Sequence, residues 1–241
     1  MRTYIYIATF ILLLFAACHG DEAQQSASES AASDARLKIA LLPTAECAPL
    51  VAAATSGLAD SLGLPLQVVM CRSQWDADTL LLRGHIDVAY CDSARADYYR
   101  RRGQWRDMQC VATTRGVWSL VVGGQLRVKS LNRLSGRTLA VSRYAAGEHW
   151  ATEALRQAGV ARSSVLRTQI NDFALRTAML RDGQVDAAML PQPFADSAKV
   201  HGAVVLYTTP RGVETGGIWM RRNSLSAQQV AVLKRLATGQ Q

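Results

Sequence analysis

Residues 81–89 read Leu-Leu-Arg-Gly-His-Ile-Asp-Val-Ala, and residues 179–188 read Met-Leu-Arg-Asp-Gly-Gln-Val-Asp-Ala-Ala. Each stretch is a helix end, a glycine, and an aspartate inside the start of an apolar strand. The glycine can take the left-handed conformation that closes a helix. The aspartates, Asp87 and Asp186, can be held by backbone donors at the strand mouth. The same junction in both halves of the chain points to two lobes of similar construction.

Outward from the first copy, strands and helices alternate. Leu37–Leu42 is an apolar run stopped by Pro43, and Ala45–Leu62 has helical spacing closed by Gly63. Leu66–Met70 is a second strand, Asp76–Arg83 a helix and Ile86–Tyr90 a third strand. Asp92 suits the cap of a helix ending near Arg102-Gly103. Two strands follow, Met108–Thr114 and Val117–Val122, and then Gly123-Gly124. Around the second copy the rhythm resumes. The strands are Thr138–Ser142, Val165–Thr168, Val185–Leu190 and Ala203–Thr208; the helices are Gly147–Gln157, Asp172–Arg181 and Phe194–Lys199. Gly217–Met220 and Ser226–Leu236 close the chain as strand and helix. The fold class is α/β, with a mainly parallel sheet flanked by helices in each lobe.

The N-terminus carries Arg2 and then an apolar run from Tyr4 to Ala17, the parts of a secretory signal over residues 1–17. A membrane-spanning helix needs about 20 apolar residues, more than this run supplies. Phe15-Ala16-Ala17-Cys18 resembles the lipobox of bacterial lipoproteins, with Phe15 where the family prefers Leu. The resemblance implies lipid on Cys18. Residues 18–35, rich in Ser, Ala, Gln and acids, read as a flexible linker behind the anchor. The chain is then exported, anchored by lipid to a bacterial membrane, and faces the periplasm or cell exterior.

The net charge is +8. The cations are scattered apart from Arg100-Arg101-Arg102, which suits a helix C-terminus. Export and scatter both argue against nucleic acid as a partner. Four cysteines remain in the body: Cys47, Cys71, Cys91 and Cys110. No Cys-x-x-Cys pair suggests a metal site. The histidines show no nucleophile–base spacing, so no catalytic residue is expected. No sequence feature calls for a cofactor.

Ligands of open parallel sheets bind outside the carboxyl ends of the strands. In the first lobe those positions are Thr44 and Glu46, then Arg72, Ser73 and Trp75, then Tyr90 and Asp92. Arg115 and Trp118 flank the next turn. The second lobe offers Ser142, Arg143 and Tyr144, then Asn171 and Asp172, then Gln192. Aromatics could stack on a planar ligand, and arginines could pair with a carboxylate or sulfonate. Cys47, Cys71 and Cys91 cluster at the same strand ends, so Cys47 is a candidate for a disulfide to Cys71 or Cys91.

Four segments carry a family resemblance: LKIALLPTAECAPLVAAATSGLADSLGL (37–64), LLRGHIDVAYCD (81–92), LNRLSGRTLAVSRYA (131–145) and MLRDGQVDAAMLPQPFADSA (179–198). They resemble ABC-transporter substrate-binding lipoproteins of the branch that handles nitrate, sulfonates and thiamine precursors. The resemblance implies the type 2 periplasmic-binding-protein fold, two lobes joined by two crossings. These would fall near Gly123-Gly124 and near Thr209–Gly212, giving lobe one as 36–123 plus 211–241 and lobe two as 124–210. It also implies a small anionic or planar molecule in the interlobe cleft, and permease and ATPase subunits as partners. The alternatives are an enzyme on the same fold, like thiamine-pyrimidine synthases or menaquinone-pathway lyases, or a sensory lipoprotein. Export and the missing cysteine-rich motif of the pyrimidine synthases argue against an enzyme.

Overall fold

The computed structural model describes residues 36–239. The signal segment, Cys18 and the linker to residue 35 lie outside the described residues. The first part of the described chain is β1 (Leu37–Leu41), α1 (Ala48–Thr55), α2 (Leu58–Ser61), β2 (Leu66–Met70), α3 (Gln74–Leu82), β3 (Val88–Asp92), α4 (Ser93–Arg101) and β4 (Met108–Arg115). The second part is β5 (Trp118–Val122), β6 (Thr138–Val141), α5 (Ala146–Gln157), β7 (Leu166–Gln169), α6 (Phe173–Arg181), β8 (Ala187–Pro191), α7 (Phe194–Val200) and β9 (Val204–Thr208). Last come β10 (Glu214–Arg221) and α8 (Ala227–Thr238).

Ten strands form two five-stranded sheets, ordered β2-β1-β3-β10-β4 and β7-β6-β8-β5-β9. In each sheet the first three strands are parallel and the fourth is antiparallel to both neighbours. The lobes are therefore mixed sheets of identical order. In both, the fourth strand is the one delivered by a crossing from the other lobe. β5 pairs with β8 and β9, so it belongs to lobe two. This corrects the expected first crossing: it runs through Gly116 and Val117, not Gly123-Gly124. Every residue of β5 is buried, which requires a central place in a sheet covered on both faces. The second crossing runs from Thr209 to Val213.

The two junctions that suggested the lobes are real. Gly84 and Gly183 sit at φ +71° and +70° at the ends of α3 and α6. Asp186 Oδ2 accepts the Thr138 N–H (2.7 Å) and hydroxyl (2.9 Å), pinning β8 to β6. Asp87 serves differently, accepting the Arg221 N–H at its backbone carbonyl (3.4 Å). The single helix expected over 45–62 is two, broken at Gly57 in the left-handed region (φ +76°).

β3 and β8, the central parallel strands, are buried at every residue. Helices α1, α3 and α8 pack on lobe one through Leu50, Leu81, Leu233 and Leu236; Leu155, Phe173 and Leu180 do the same in lobe two. Each such side chain contributes about 1.5–3 kcal/mol by leaving water. Among the described residues no helix is long and apolar enough to cross a membrane.

Candidate functional site

The cleft between the lobes is built on α4. Asp92 starts that helix, its Oδ1 accepting the Arg95 N–H at 2.8 Å. Helical spacing then places Arg95, Tyr98, Tyr99 and Arg102 on one face. Arg95 is buried and donates from Nε to Asp78 Oδ2 at 2.7 Å. Asp78 also accepts from Gln74 Nε2 (2.7 Å) and the Tyr99 hydroxyl (3.1 Å). Burial pushes the Asp78 carboxyl above its ordinary range against the pull of Arg95. This network fixes the guanidinium of Arg95 between rings, 5.3 Å from the centre of Trp75, 5.6 Å from Tyr98 and 5.0 Å from Tyr99.

Lobe two meets this face with Arg143 and Tyr144. Tyr144 stacks on Tyr98 with ring centres 4.5 Å apart and planes 19° from parallel. Its backbone sits at φ +57°, an uncommon conformation for a bulky residue, held by its N–H on Glu148 Oε2 (2.8 Å). Arg102 lies over Tyr98 and Arg143 over Tyr144. Around this ladder is a cavity of about 550 Å³, walled by Trp75, Arg95, Tyr98 and Arg102 from lobe one and Arg143, Tyr144 and Gln169 from lobe two. Among the described residues no acidic side chain lines it. Trp75 and Tyr144 remain 56% and 47% exposed there, although Tyr144 already stacks on Tyr98 and lies under Arg143. A second cavity of about 480 Å³ shares Tyr98, Arg102 and Tyr144 and adds Arg101 and Arg162, with Glu148 and Glu153. A smaller one, about 200 Å³ between α6 and α7, takes no residue from lobe one.

Of the residues expected to bind ligand, Trp75, Arg143 and Tyr144 line this cavity. Others join the lobes directly. Arg72 Nε faces Asp172 Oδ2 at 3.7 Å, and Gln192 accepts the Ala45 N–H at its carbonyl (2.9 Å). Asp92 Oδ1 also accepts the Ala146 N–H of lobe two at 2.9 Å. Arg95 Nη1 donates to the Arg143 carbonyl at 3.3 Å.

Glu46 and Tyr90 are corrected to hinge residues. Both are buried, and Glu46 Oε1 accepts from the Tyr90 hydroxyl (3.2 Å) and from Thr215 Oγ1. Thr215 Oγ1 in turn accepts the Gly116 N–H of the first crossing at 2.7 Å. A Cβ on Gly116 would lie 2.1 Å from Glu46 Oε1, so only glycine lets the strap pass there.

Trp118 is core, edge-on to Phe173. Ser142 accepts from Arg176 in the interior of lobe two. Ser73 caps α3, accepting the Asp76 N–H (3.2 Å), and Asp172 caps α6, accepting the Leu175 N–H (3.0 Å). Asn171 accepts from Gln169 (3.3 Å), Arg115 pairs with Glu214 at 4.0 Å, and Thr44 is buried.

Cys47, Cys71 and Cys91 form no disulfide; all four body cysteines are free. Their sulfurs turn to different partners. Cys47 accepts from Leu42 N–H, Cys71 donates to the Val69 carbonyl, and Cys91 donates to Asp78 and the Asp92 carbonyl. Burial pushes Cys47 up to about 12 and Cys71 to about 11, which keeps both as unreactive thiols. Among the described residues no cluster of His, Cys, Asp or Glu could hold a metal ion.

Arg95, Tyr98 and Arg102 were not expected from the strand-end rule, because they project from a helix face. Their i, i+3, i+7 spacing after Asp92 is the signal that marks them.

Two lobes of identical strand order, two crossings and a cleft walled by both define the type 2 periplasmic-binding-protein fold. The chain belongs to the NMT1-like family, whose model matches residues 30–219. Among solved structures it is similar to the alkanesulfonate-binding protein SsuA of Xanthomonas axonopodis pv. citri bound to MOPS, with 19% identity and a TM-score of 0.72 over 85% of this chain and 73% of that one. It is also similar to the periplasmic aliphatic sulphonate binding protein SsuA of Escherichia coli, with 19% identity and a TM-score of 0.60 over 77% and 65% of the two chains. PhnD1 of Prochlorococcus marinus, in complex with methylphosphonate, is similar at 15% identity and a TM-score of 0.62 over 84% and 82%. No curated protein matches the chain by sequence.

Proposed function

We propose that this protein is an extracytoplasmic solute-binding component of an ABC importer, and that it binds a small anion with a planar group in the interlobe cavity. One observation carries the ligand class: both lobes supply arginines and aromatic rings to a cavity that, among the described residues, no acid lines. Its volume, about 550 Å³, is of the size that small-molecule sites have. The sulfonate- and phosphonate-binding neighbours support an anion on this fold. Arg102 and Arg143 would hold the anionic group, and Trp75, more than half exposed, would cover the planar part. A signal over 1–17, lipid on Cys18 and a linker to residue 35 would hold the body near its permease.

Thermal denaturation against a panel of aromatic and aliphatic sulfonates, carboxylates and uncharged isosteres tests the ligand class. The expected result is a rise in Tm with anions alone, about 2.7 kcal/mol of stabilisation at a hundredfold excess over Kd, lost in Arg102→Ala and Arg143→Ala. Equal shifts with the uncharged isosteres would reject the anion. Fatty-acid labelling of wild type against Cys18→Ser tests the anchor, and equal label in both would reject it.

A further inference from the structure

A bulky residue stands where glycine would fit more easily. Tyr144 follows β6 with φ +57°, in the left-handed region that favours glycine. Such outliers gather at ligand clamps and switches. This one sends a ring across the cleft into a slot. The Tyr98 ring covers one face, with centres 4.5 Å apart and planes 19° from parallel. The Arg143 guanidinium also lies over the ring, 5.3 Å from its centre. A flat aromatic surface and a cation are the neighbours that an aromatic anion needs. Tyr98, Arg102 and Tyr144 line both interlobe cavities, of about 550 and 480 Å³. The stacked pair is therefore the wall between them. Little holds the ring in place. Tyr144 is 47% exposed, and its hydroxyl accepts from Arg143 Nη2 at 3.5 Å, the long limit of a hydrogen bond. A turn about χ1 carries the ring to solvent with the backbone unmoved.

We propose that Tyr144 stands in for the ligand. In the free protein its ring fills the slot between Tyr98 and Arg143. An aromatic ligand that carries an anionic group displaces it, stacking on Tyr98 with its charge on Arg102 and Arg143. Trp75, the other ring beside the Arg95 guanidinium, covers what extends past the slot. This rests on the interlobe cavity being the ligand site. It narrows the ligand from a planar anion to one whose aromatic ring competes with a tyrosine. Aliphatic anions reach the arginines but leave the slot filled. Once the slot is cleared the two cavities join, which makes room for a fused ring. Tyr144 is then a specificity-determining residue that ligand must move, not a wall that ligand rests on.

The probe is 8-anilino-1-naphthalenesulfonate, an aromatic sulfonate whose fluorescence rises on binding. Tyr144→Ala empties the slot and Tyr144→Phe keeps the ring. Tyr144→Ala is expected to bind the dye about 2- to 10-fold more tightly than wild type, the fold-change that a stacked aromatic pair is worth. Tyr144→Phe is expected to follow wild type, and the gain to vanish when Arg143→Ala is combined with Tyr144→Ala. Saturating dye should also bring the radius of gyration of Tyr144→Ala back to that of wild type, which dye on a loosened surface would not do. A wall residue gives the opposite sign, so dye affinity unchanged or weakened in Tyr144→Ala overturns the proposal. A gain that survives Arg143→Ala overturns it too. If Tyr144→Ala does not fold, nuclear Overhauser contacts between the Tyr98 and Tyr144 rings of wild type decide: they are expected to disappear with saturating dye, and their persistence overturns the displacement. The ligand-site reading fails separately, if Arg102→Ala and Arg143→Ala leave the anion-induced rise in Tm intact.

Discussion

Burial raises the Asp92 carboxyl from its ordinary range to about 8, against the pull of the backbone N–H of Arg95. In the unfolded chain an aspartate titrates near 3.9. The folded state therefore holds this proton more tightly. Below about pH 4 both states are protonated and the group is neutral to stability. Between about pH 4 and pH 8 the unfolded state ionises first, so stability falls; above pH 8 the loss is complete. The slope is at most about 1.4 kcal/mol per pH unit. Asp92→Asn removes this titration and leaves that of Asp78 in place. Urea denaturation of both proteins at pH 5, 7 and 9 should show wild type losing ground to the variant as pH rises. Parallel stabilities across that range would contradict the buried carboxyl. The residue scale also explains what the strand-end rule could not separate. The rule placed Tyr90 and Trp75 alike at strand ends, yet Tyr90 lies inside β3 and bonds Glu46, while Trp75, in the first turn of α3, is exposed at the cleft. The difference is which neighbours reach them, and that is set by other segments of the chain.

At the scale of the element, α4 does two jobs with one face. Arg95 is locked by Asp78, and Tyr98 and Arg102 are offered to the cavity. The Arg95–Asp78 pair has side chains only 6% and 2% exposed. Removing one partner of such a pair leaves a buried charge without its counterion and costs about 3–5 kcal/mol. Arg95→Ala should therefore lower stability by that order in chemical denaturation, while Arg102→Ala, at the open end of the face, should change it little and act on binding. Equal stability losses in the two variants would show that the face is not divided in this way. The cap of α4 was legible in the sequence, because Asp before a helical run is a local signal. Its second role, as cap for α5, was not. Nothing local links residue 92 to residue 146; the contact exists only because the lobes meet.

At the scale of the whole molecule, the lobes are held by direct contacts around α4, by Arg72–Asp172 and Ala45–Gln192 at the ends of β2 and β1, and by two short crossings. The Tyr98–Tyr144 stack is the largest apolar contact named among those across the cleft, and such pairs contribute about 0.5–1.5 kcal/mol beyond area. Tyr144→Ala should shift the lobes toward an open state and raise the radius of gyration measured by small-angle X-ray scattering. An unchanged radius in the variant would mean that the hinge network of Glu46, Thr215 and Gly116 holds the lobes on its own. The paired junctions at Gly84 and Gly183 announced two lobes, since a glycine closing a helix before an apolar strand is written in adjacent residues. The crossing point was misplaced because a Gly-Gly pair looks like a joint. The real joint is a single glycine that must pass a glutamate from far along the chain.

By itself the sequence determined the alternation of strands and helices and the two-lobed plan, because period, helix stops and strand ends are local properties; of its fifteen candidate ligand residues only the structure singles out Trp75, Arg143 and Tyr144 as lining the cavity. The tertiary structure decided the mixed order of the sheets, the hinge roles of Glu46 and Tyr90, the free cysteines and the tie from Asp92 to α5. Each depends on segments distant in sequence meeting across a sheet or a cleft, and no local pattern encodes which of them will touch.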